Sequence, residues 1–144
     1  MELSHQAHFL IAEDDPNDVF FLHRAFARAN AQHVSLRFVA DTQQTADYVA
    51  GRNRYSDRKA YPVPSLLLLD LNLPRSGGLE LLQWLNSNRD LVSFPVVVFT
   101  GSNKPEDYEI ATSFDFVAAY VVKSATYDHL PQLLQQLHLG QRRA

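Results

Sequence analysis

Three short apolar runs punctuate the chain, Phe9 to Ala12, Leu66 to Leu69 and Val96 to Phe99, each too short for a helix and each leading into polar or acidic residues. Runs of that length without alternation predict strands covered on both faces. Val34 to Val39 and Ala118 to Val122, rich in Val with Leu, Phe or Tyr, read as two further strands, which makes five. Between them, residues recur at helical spacing: Val19, Leu22, His23 and Phe26, then Leu79, Leu82, Gln83 and Leu85, then Leu130, Leu133, Leu134 and Leu137. Strand and helix alternate throughout, which predicts an α/β fold, a doubly wound parallel sheet with helices on both faces. In such sheets ligands gather beyond the carboxyl ends of the strands.

Punctuation residues sharpen the boundaries. Asp15 is a good helix N-cap and Pro16 suits a first helical turn, where its missing N–H is not needed. Gly77 and Gly78 let the chain turn sharply between the third strand and its helix, and Pro95 enters the fourth strand where a missing donor does least harm. Gly51 to Pro64 has no periodicity and reads as a long surface loop with a basic cluster, Arg52, Arg54, Arg58 and Lys59, expected to be solvated.

Composition narrows the function classes. A chain of 144 residues is expected to fold as one domain, and 46% apolar with 20% charged residues is a globular composition. With 13 Lys and Arg against 16 Asp and Glu, the net charge of −3 gives no general attraction for nucleic acid or anionic lipid. The absence of Cys excludes disulfides, thiolate metal sites and thiol catalysis. No apolar run approaches the length that crosses a bilayer, and the polar start from Met1 to His8 lacks a signal-peptide layout, so a soluble cytoplasmic domain is expected. The six histidines are scattered without metal spacing, and His23 falls on the expected apolar face of the first helix, as a core histidine does.

The chemistry lies at the strand ends: Glu13-Asp14-Asp15 after the first, Asp70 after the third, Thr100-Gly101-Ser102 after the fourth, and Lys123-Ser124 after the fifth. Each has an ordinary alternative, since an acidic pair can be a helix cap, Asp70 with Asn72 and Pro74 can be turn chemistry, and a lone lysine can be solvated. Their conjunction on one rim is what carries information. Glu13, Asp14 and Asp70 facing Lys123 leave an excess negative charge that a divalent cation would neutralise, and Mg2+ suits carboxylate and carbonyl oxygens.

These residues resemble the bacterial response-regulator receiver domain of two-component signalling. The matching features are Glu13-Asp14 after Phe9-Leu10-Ile11-Ala12, Asp70-Leu71-Asn72-Leu73-Pro74 with Gly78 beyond it, Thr100-Gly101 after Pro95 to Phe99, and Tyr120-Val121-Val122-Lys123. The resemblance runs from about Phe9 to Leu137, nearly the whole chain. The long loop, the Leu-Asn-Leu-Pro run and Lys123-Ser124-Ala125 look like the small regulators paired with phytochrome-type sensor kinases. The resemblance implies a flavodoxin-like strand order 2-1-3-4-5 and a phosphoryl group accepted on Asp70 from a histidine kinase. It also implies Mg2+ held by Glu13, Asp14, Asp70 and the backbone carbonyl of Asn72, with Lys123 and Thr100 on phosphoryl oxygens. Thr100 moving toward Asp70 would leave room for the Tyr120 ring, a two-state switch whose alternative is a half-buried tyrosine with a single position. Many receivers carry a proline with a cis peptide after the lysine. This chain has Ser124, where a cis bond costs about 2.5–4 kcal/mol.

Only one helix and the tail Gly140 to Ala144 fit after Lys123, so no output domain is expected and the signal should leave through a surface. The helix from about Pro105 to Phe114, the fifth strand and the last helix form a face that receivers use for dimers. Tyr108, Ile110, Phe114, Phe116 and Leu139 are apolar candidates there, with the core as the alternative. Three other classes compete. A flavodoxin-like electron carrier lacks its phosphate-cradling loop here, and a phosphohydrolase would carry an acid where Asn72 stands. The third, a degenerate receiver acting as a phosphorylation-independent interaction module, conflicts with the complete acidic set. An enzyme is therefore not expected beyond slow self-dephosphorylation.

Overall fold

β1 (Ala7–Ala12), β3 (Leu66–Leu69) and β4 (Val96–Thr100) occupy the middle of one parallel sheet, flanked by β2 (Val34–Val39) and β5 (Val117–Val122) in the order β2-β1-β3-β4-β5. The structure is a computed structural model that describes residues 6–123 and 127–143, with side chains through residue 139. The expected doubly wound order is thus observed. The three uninterrupted apolar runs are the inner strands for a physical reason: both of their faces are covered, so neither set of alternating side chains meets water.

One set, Phe9, Ile11, Leu66, Leu68, Val97 and Phe99, packs under Leu22 and Phe26 of α1 (Pro16–Arg28) and Leu130 and Leu134 of α5 (Leu130–Arg143). The opposite set, Leu10, Ala12, Leu67, Leu69, Val96 and Val98, packs against α2 (Thr42–Ala50), α3 (Gly78–Ser87) and α4 (Pro105–Thr112). The edge strands β2 and β5 are only half-buried, in keeping with their mixed sequences. Among the described residues, no helix is long and apolar enough to cross a membrane.

Several boundaries differ from the sequence expectation. β5 begins at Val117, and the β4–β5 register slips there, with Val96 opposite Val117 but Val97 opposite Ala119. Ala118 is the extra residue of a bulge. α4 stops at Thr112, and α5 continues through Gly140 to Arg143 where a tail was expected. The buried face of α3 is Gly78, Leu81, Leu82 and Leu85, with Gln83 exposed. His23 is also exposed, its ring lying 4.7 Å from that of Phe38 at the sheet edge.

The segment after α2 is more ordered than its composition suggests. α2 ends at Gly51, in the left-handed region at φ 68°, and a short 3-10 turn follows at Asn53–Tyr55. Tyr55 is buried and packs with Tyr48 and Tyr61 at centroid distances of 4.9 and 5.1 Å. Arg58, expected to be solvated, instead turns inward. Its guanidinium donates to the carbonyls of Tyr48, Val49 and Tyr61 at 2.9, 2.8 and 3.1 Å, tying the loop to acceptors in the last turn of α2.

Candidate functional site

Strand pairing continues one step past the ends of β1, β3 and β5, and this sets the rim. The Glu13 amide donates to the Val39 carbonyl at 2.9 Å, the Asp70 amide to Ala12 at 3.1 Å, and the Lys123 amide to Thr100 at 2.7 Å. These bonds fix the backbones of Glu13, Asp70 and Lys123 at the same end of the sheet. α1 then starts at once: the Asp15 side chain accepts from the Asn17 amide at 2.8 Å and Pro16 takes the first turn, so Asp15 is a cap, as expected.

The chain leaving β3 is turned by Gly78. A Cβ there would lie 2.6 Å from the Leu71 Cα and 2.9 Å from the Asp70 carbonyl oxygen, closer than backbone tolerates. The Gly78 amide also donates to the Leu71 carbonyl at 2.9 Å, tying α3 to the loop that carries Asp70.

Within this frame the side chains converge on Lys123. Its ammonium donates to Glu13 Oε1 at 2.8 Å, Asp18 Oδ2 at 2.8 Å and Asp70 Oδ2 at 2.9 Å. Glu13 and Asp70 are buried. The second oxygen of each is also engaged, Glu13 Oε2 by the Asp15 amide at 3.1 Å and Asp70 Oδ1 by the Asn72 amide at 3.0 Å. Asp14 and Asn72 are exposed at the rim. Thr100 is fully buried at the end of β4, and its hydroxyl oxygen accepts from the Ser102 amide at 3.3 Å. Tyr120 is half-buried, donates to the Ser102 carbonyl at 3.1 Å, and packs edge-on to Tyr108 at 5.2 Å. The peptide bond between Lys123 and Ser124 lies outside the described residues.

The electrostatics follow from a single cation among three carboxylates, an excess of two negative charges. Burial pushes the Glu13 carboxyl up to about 7, outweighing the pull of Lys123 and the Asp15 amide. Burial alone would lower the Lys123 pKa, but bonds to Asp18, Glu13 and Asp70 hold it well above the ordinary lysine value. The two shifts have different origins: burial dominates at Glu13, whereas at Lys123 the bonds to three carboxylates outweigh it.

Sequence reasoning placed Glu13, Asp70 and Lys123 together and missed two neighbours. Asp18, in the first turn of α1, reaches Lys123, and its other oxygen, Oδ1, accepts from the Tyr127 hydroxyl. The Tyr127 ring is wedged between Phe99 and Phe21 at 5.2 and 5.7 Å. Spacing signalled neither: Asp14 precedes the N-cap Asp15, so the helical period does not tie Asp18 to the acidic pair, and nothing in the sequence marks Tyr127. Among the described residues, no group of three His, Cys, Asp or Glu stands at metal-holding spacing, and Glu13 and Asp70 each turn an oxygen onto Lys123.

A buried carboxylate, an ammonium and a hydroxyl-bearing strand end meet at the rim of a five-stranded sheet of the doubly wound, flavodoxin-like α/β class, beyond the carboxyl ends of the strands where such folds bind their ligands. The chain belongs to the response regulator receiver domain family, whose model matches residues 9–135. It is 30% identical to the response regulator Rcp1 of Synechocystis over 88% of this chain and 82% of that protein. Among solved structures, a response regulator in red light signalling of R. palustris, RPA3017, shares 34% identity with TM-score 0.77, covering 92% of each chain. The phosphorylated cyanobacterial phytochrome response regulator RcpA shares 29% with TM-score 0.73, over 95% of this chain and 92% of that one. The Mn2+-bound form of Rcp1 itself superposes with TM-score 0.71 at 27% identity, over 90% of both.

Proposed function

We propose that Asp70 accepts a phosphoryl group from the phosphohistidine of a sensor kinase, and that the kinase is of phytochrome type. The observation that carries the reading is the buried Asp70 carboxylate with the Lys123 ammonium 2.9 Å from one oxygen. In the transfer, an Asp70 oxygen bonds to phosphorus as the P–N bond breaks. The electron pair stays on the imidazole nitrogen, which takes a proton from solvent, and Asp70 becomes an acyl phosphate. Lys123 neutralises charge on the phosphoryl oxygens, and the Thr100 hydroxyl donates to another once it turns toward Asp70. The phytochrome pairing is supported by the relatives in red-light and phytochrome signalling.

The donor set fits a hard divalent cation. Three carboxylates, Glu13, Asp18 and Asp70, share the single Lys123 ammonium, and the ligands would be Glu13, Asp14, Asp70 and the Asn72 carbonyl. Bound Mg2+ would supply charge neutralisation beside the incoming phosphoryl group. A relative supports this: the structure of Rcp1 is known in a Mn2+-bound form.

The output in this reading is conformational. Thr100 and Tyr120 are joined through Ser102, whose amide and carbonyl they hold, so movement of Thr100 pulls on the Tyr120 anchor. The face of α4, β5 and α5 offers exposed Tyr108, Ile110, Val122 and Leu139 for a homodimer. The receiver then signals by conformation or assembly and is not an enzyme.

The test is incubation with acetyl phosphate and magnesium followed by intact mass. Gain of one phosphoryl group, absent in Asp70→Asn, supports the reading; no gain with donor and magnesium in excess favours the interaction-module alternative.

A further inference from the structure

An ammonium has three N–H donors, and Lys123 spends each on a different carboxylate. Two of those partners, Glu13 and Asp70, belong to the pocket that the proposed transfer reorganises. Asp18 does not: it stands on the first turn of α1, beside the pocket, with a side chain only 16% exposed. Its second oxygen is held by Tyr127, and the Tyr127 ring is fixed between Phe99 of β4 and Phe21 of α1. The relay therefore runs from packed aromatic rings, through a hydroxyl and a carboxylate, to the end of a flexible four-carbon side chain.

Resting on the reading of Asp70 as phosphoacceptor, we propose that Asp18 and Tyr127 are positioning residues for the transfer: Tyr127 orients the Asp18 carboxylate, and Asp18 keeps the Lys123 ammonium at Asp70 when Glu13 and Asp70 take other partners. Charge and position pull in opposite directions at Asp18, which makes the idea decidable. A carboxylate beside the pocket repels an incoming phosphoryl group, so if its charge were all that mattered, Asp18→Asn would accept phosphate faster. As an anchor for Lys123, its loss slows acceptance, because a misplaced stabilising group costs heavily in rate. Tyr127→Phe separates the two, since it removes the hydroxyl and leaves every charge in place.

The experiment measures the rate of phosphoryl acceptance from acetyl phosphate at saturating magnesium, for wild type and Tyr127→Phe, each with Lys123 and with Lys123→Ala. Asp18→Asn is measured alongside. The expected result is a rate at saturating donor about tenfold lower in Tyr127→Phe. The half-saturating donor concentration stays unchanged, and Tyr127→Phe has no further effect in the Lys123→Ala background. An unchanged rate, faster acceptance by Asp18→Asn, or the same fold-loss in both Lys123 backgrounds would overturn the proposal, the last showing a general structural role. The second readout needs no phosphate: in 15N-lysine-labelled protein the Lys123 ammonium gives an exchange-protected signal that Tyr127→Phe abolishes while the amide spectrum stays folded. Persistence of that signal overturns the proposal. A wild type that shows the protected signal but accepts no phosphoryl group would refute the reading of Asp70 and leave the anchoring of Lys123 supported.

Discussion

Glu13 is a carboxylate whose burial works against its charge. It is almost fully buried, and its carboxyl is pushed from an ordinary 4.5 up to about 7. A raised acid binds its proton more tightly in the folded than in the unfolded state. The folded protein therefore holds the extra proton between about 4.5 and about 7, and its stability falls as pH rises through that window. In magnesium-free buffer the urea midpoint of the wild type should drop between roughly pH 5 and pH 7.5, and Glu13→Gln should drop less. Identical pH slopes for the two proteins would refute this. Glu13, Asp70 and Lys123 were legible in the sequence because each directly follows an apolar strand, which fixes its place on the rim. Asp18 and Tyr127 were not, because they come to Lys123 from α1 and from the segment beyond β5, and only tertiary packing brings those together.

At the scale of elements, two side-chain choices hold the rim and the loop in place. Gly78 sits where a Cβ would meet the Leu71 Cα at 2.6 Å, so Gly78→Ala must push the Asp70 loop off α3. A loss of about 1–3 kcal/mol is expected by urea denaturation, together with slower phosphoryl acceptance, since Asp70 moves with the loop. Arg58 satisfies three backbone carbonyls at the end of α2 and in the loop after it. Arg58→Ala should cost about 1–3 kcal/mol and expose the loop to proteolysis, whereas a solvated arginine would cost almost nothing. The contrast between these elements and the strands explains what the sequence could reveal. An uninterrupted apolar run has one stable location, the middle of a covered sheet, so β1, β3 and β4 were readable. The loop from Gly51 to Pro64 has no period, and its order comes from three tyrosines and an arginine meeting in space. The face of α3 was misread by one residue because Leu81 and Leu82 are both buried, a wider stripe than strict spacing predicts.

For the whole molecule, the strand order set which residues share a rim, and the same order leaves α4, β5 and α5 together on one side. Tyr108, Ile110, Val122 and Leu139 on these elements are each at least 41% exposed, and the proposed homodimer would cover apolar surface of this kind. Tyr120 lies between this face and the rim, bonded to Ser102 and packed on Tyr108. Sedimentation in acetyl phosphate and magnesium should show a dimer that Ile110→Glu returns to monomer. A wild type that stays monomeric under full phosphorylation would rule out assembly as the output. The central claim, that one carboxylate at this rim takes the phosphoryl group, has a more direct test. After reaction with acetyl phosphate and magnesium, borohydride reduction converts an acyl phosphate to the alcohol, and peptide mapping locates it. Homoserine at position 70 and nowhere else is the result expected; label at Glu13, Asp14 or Asp18, or none at all, would contradict the account.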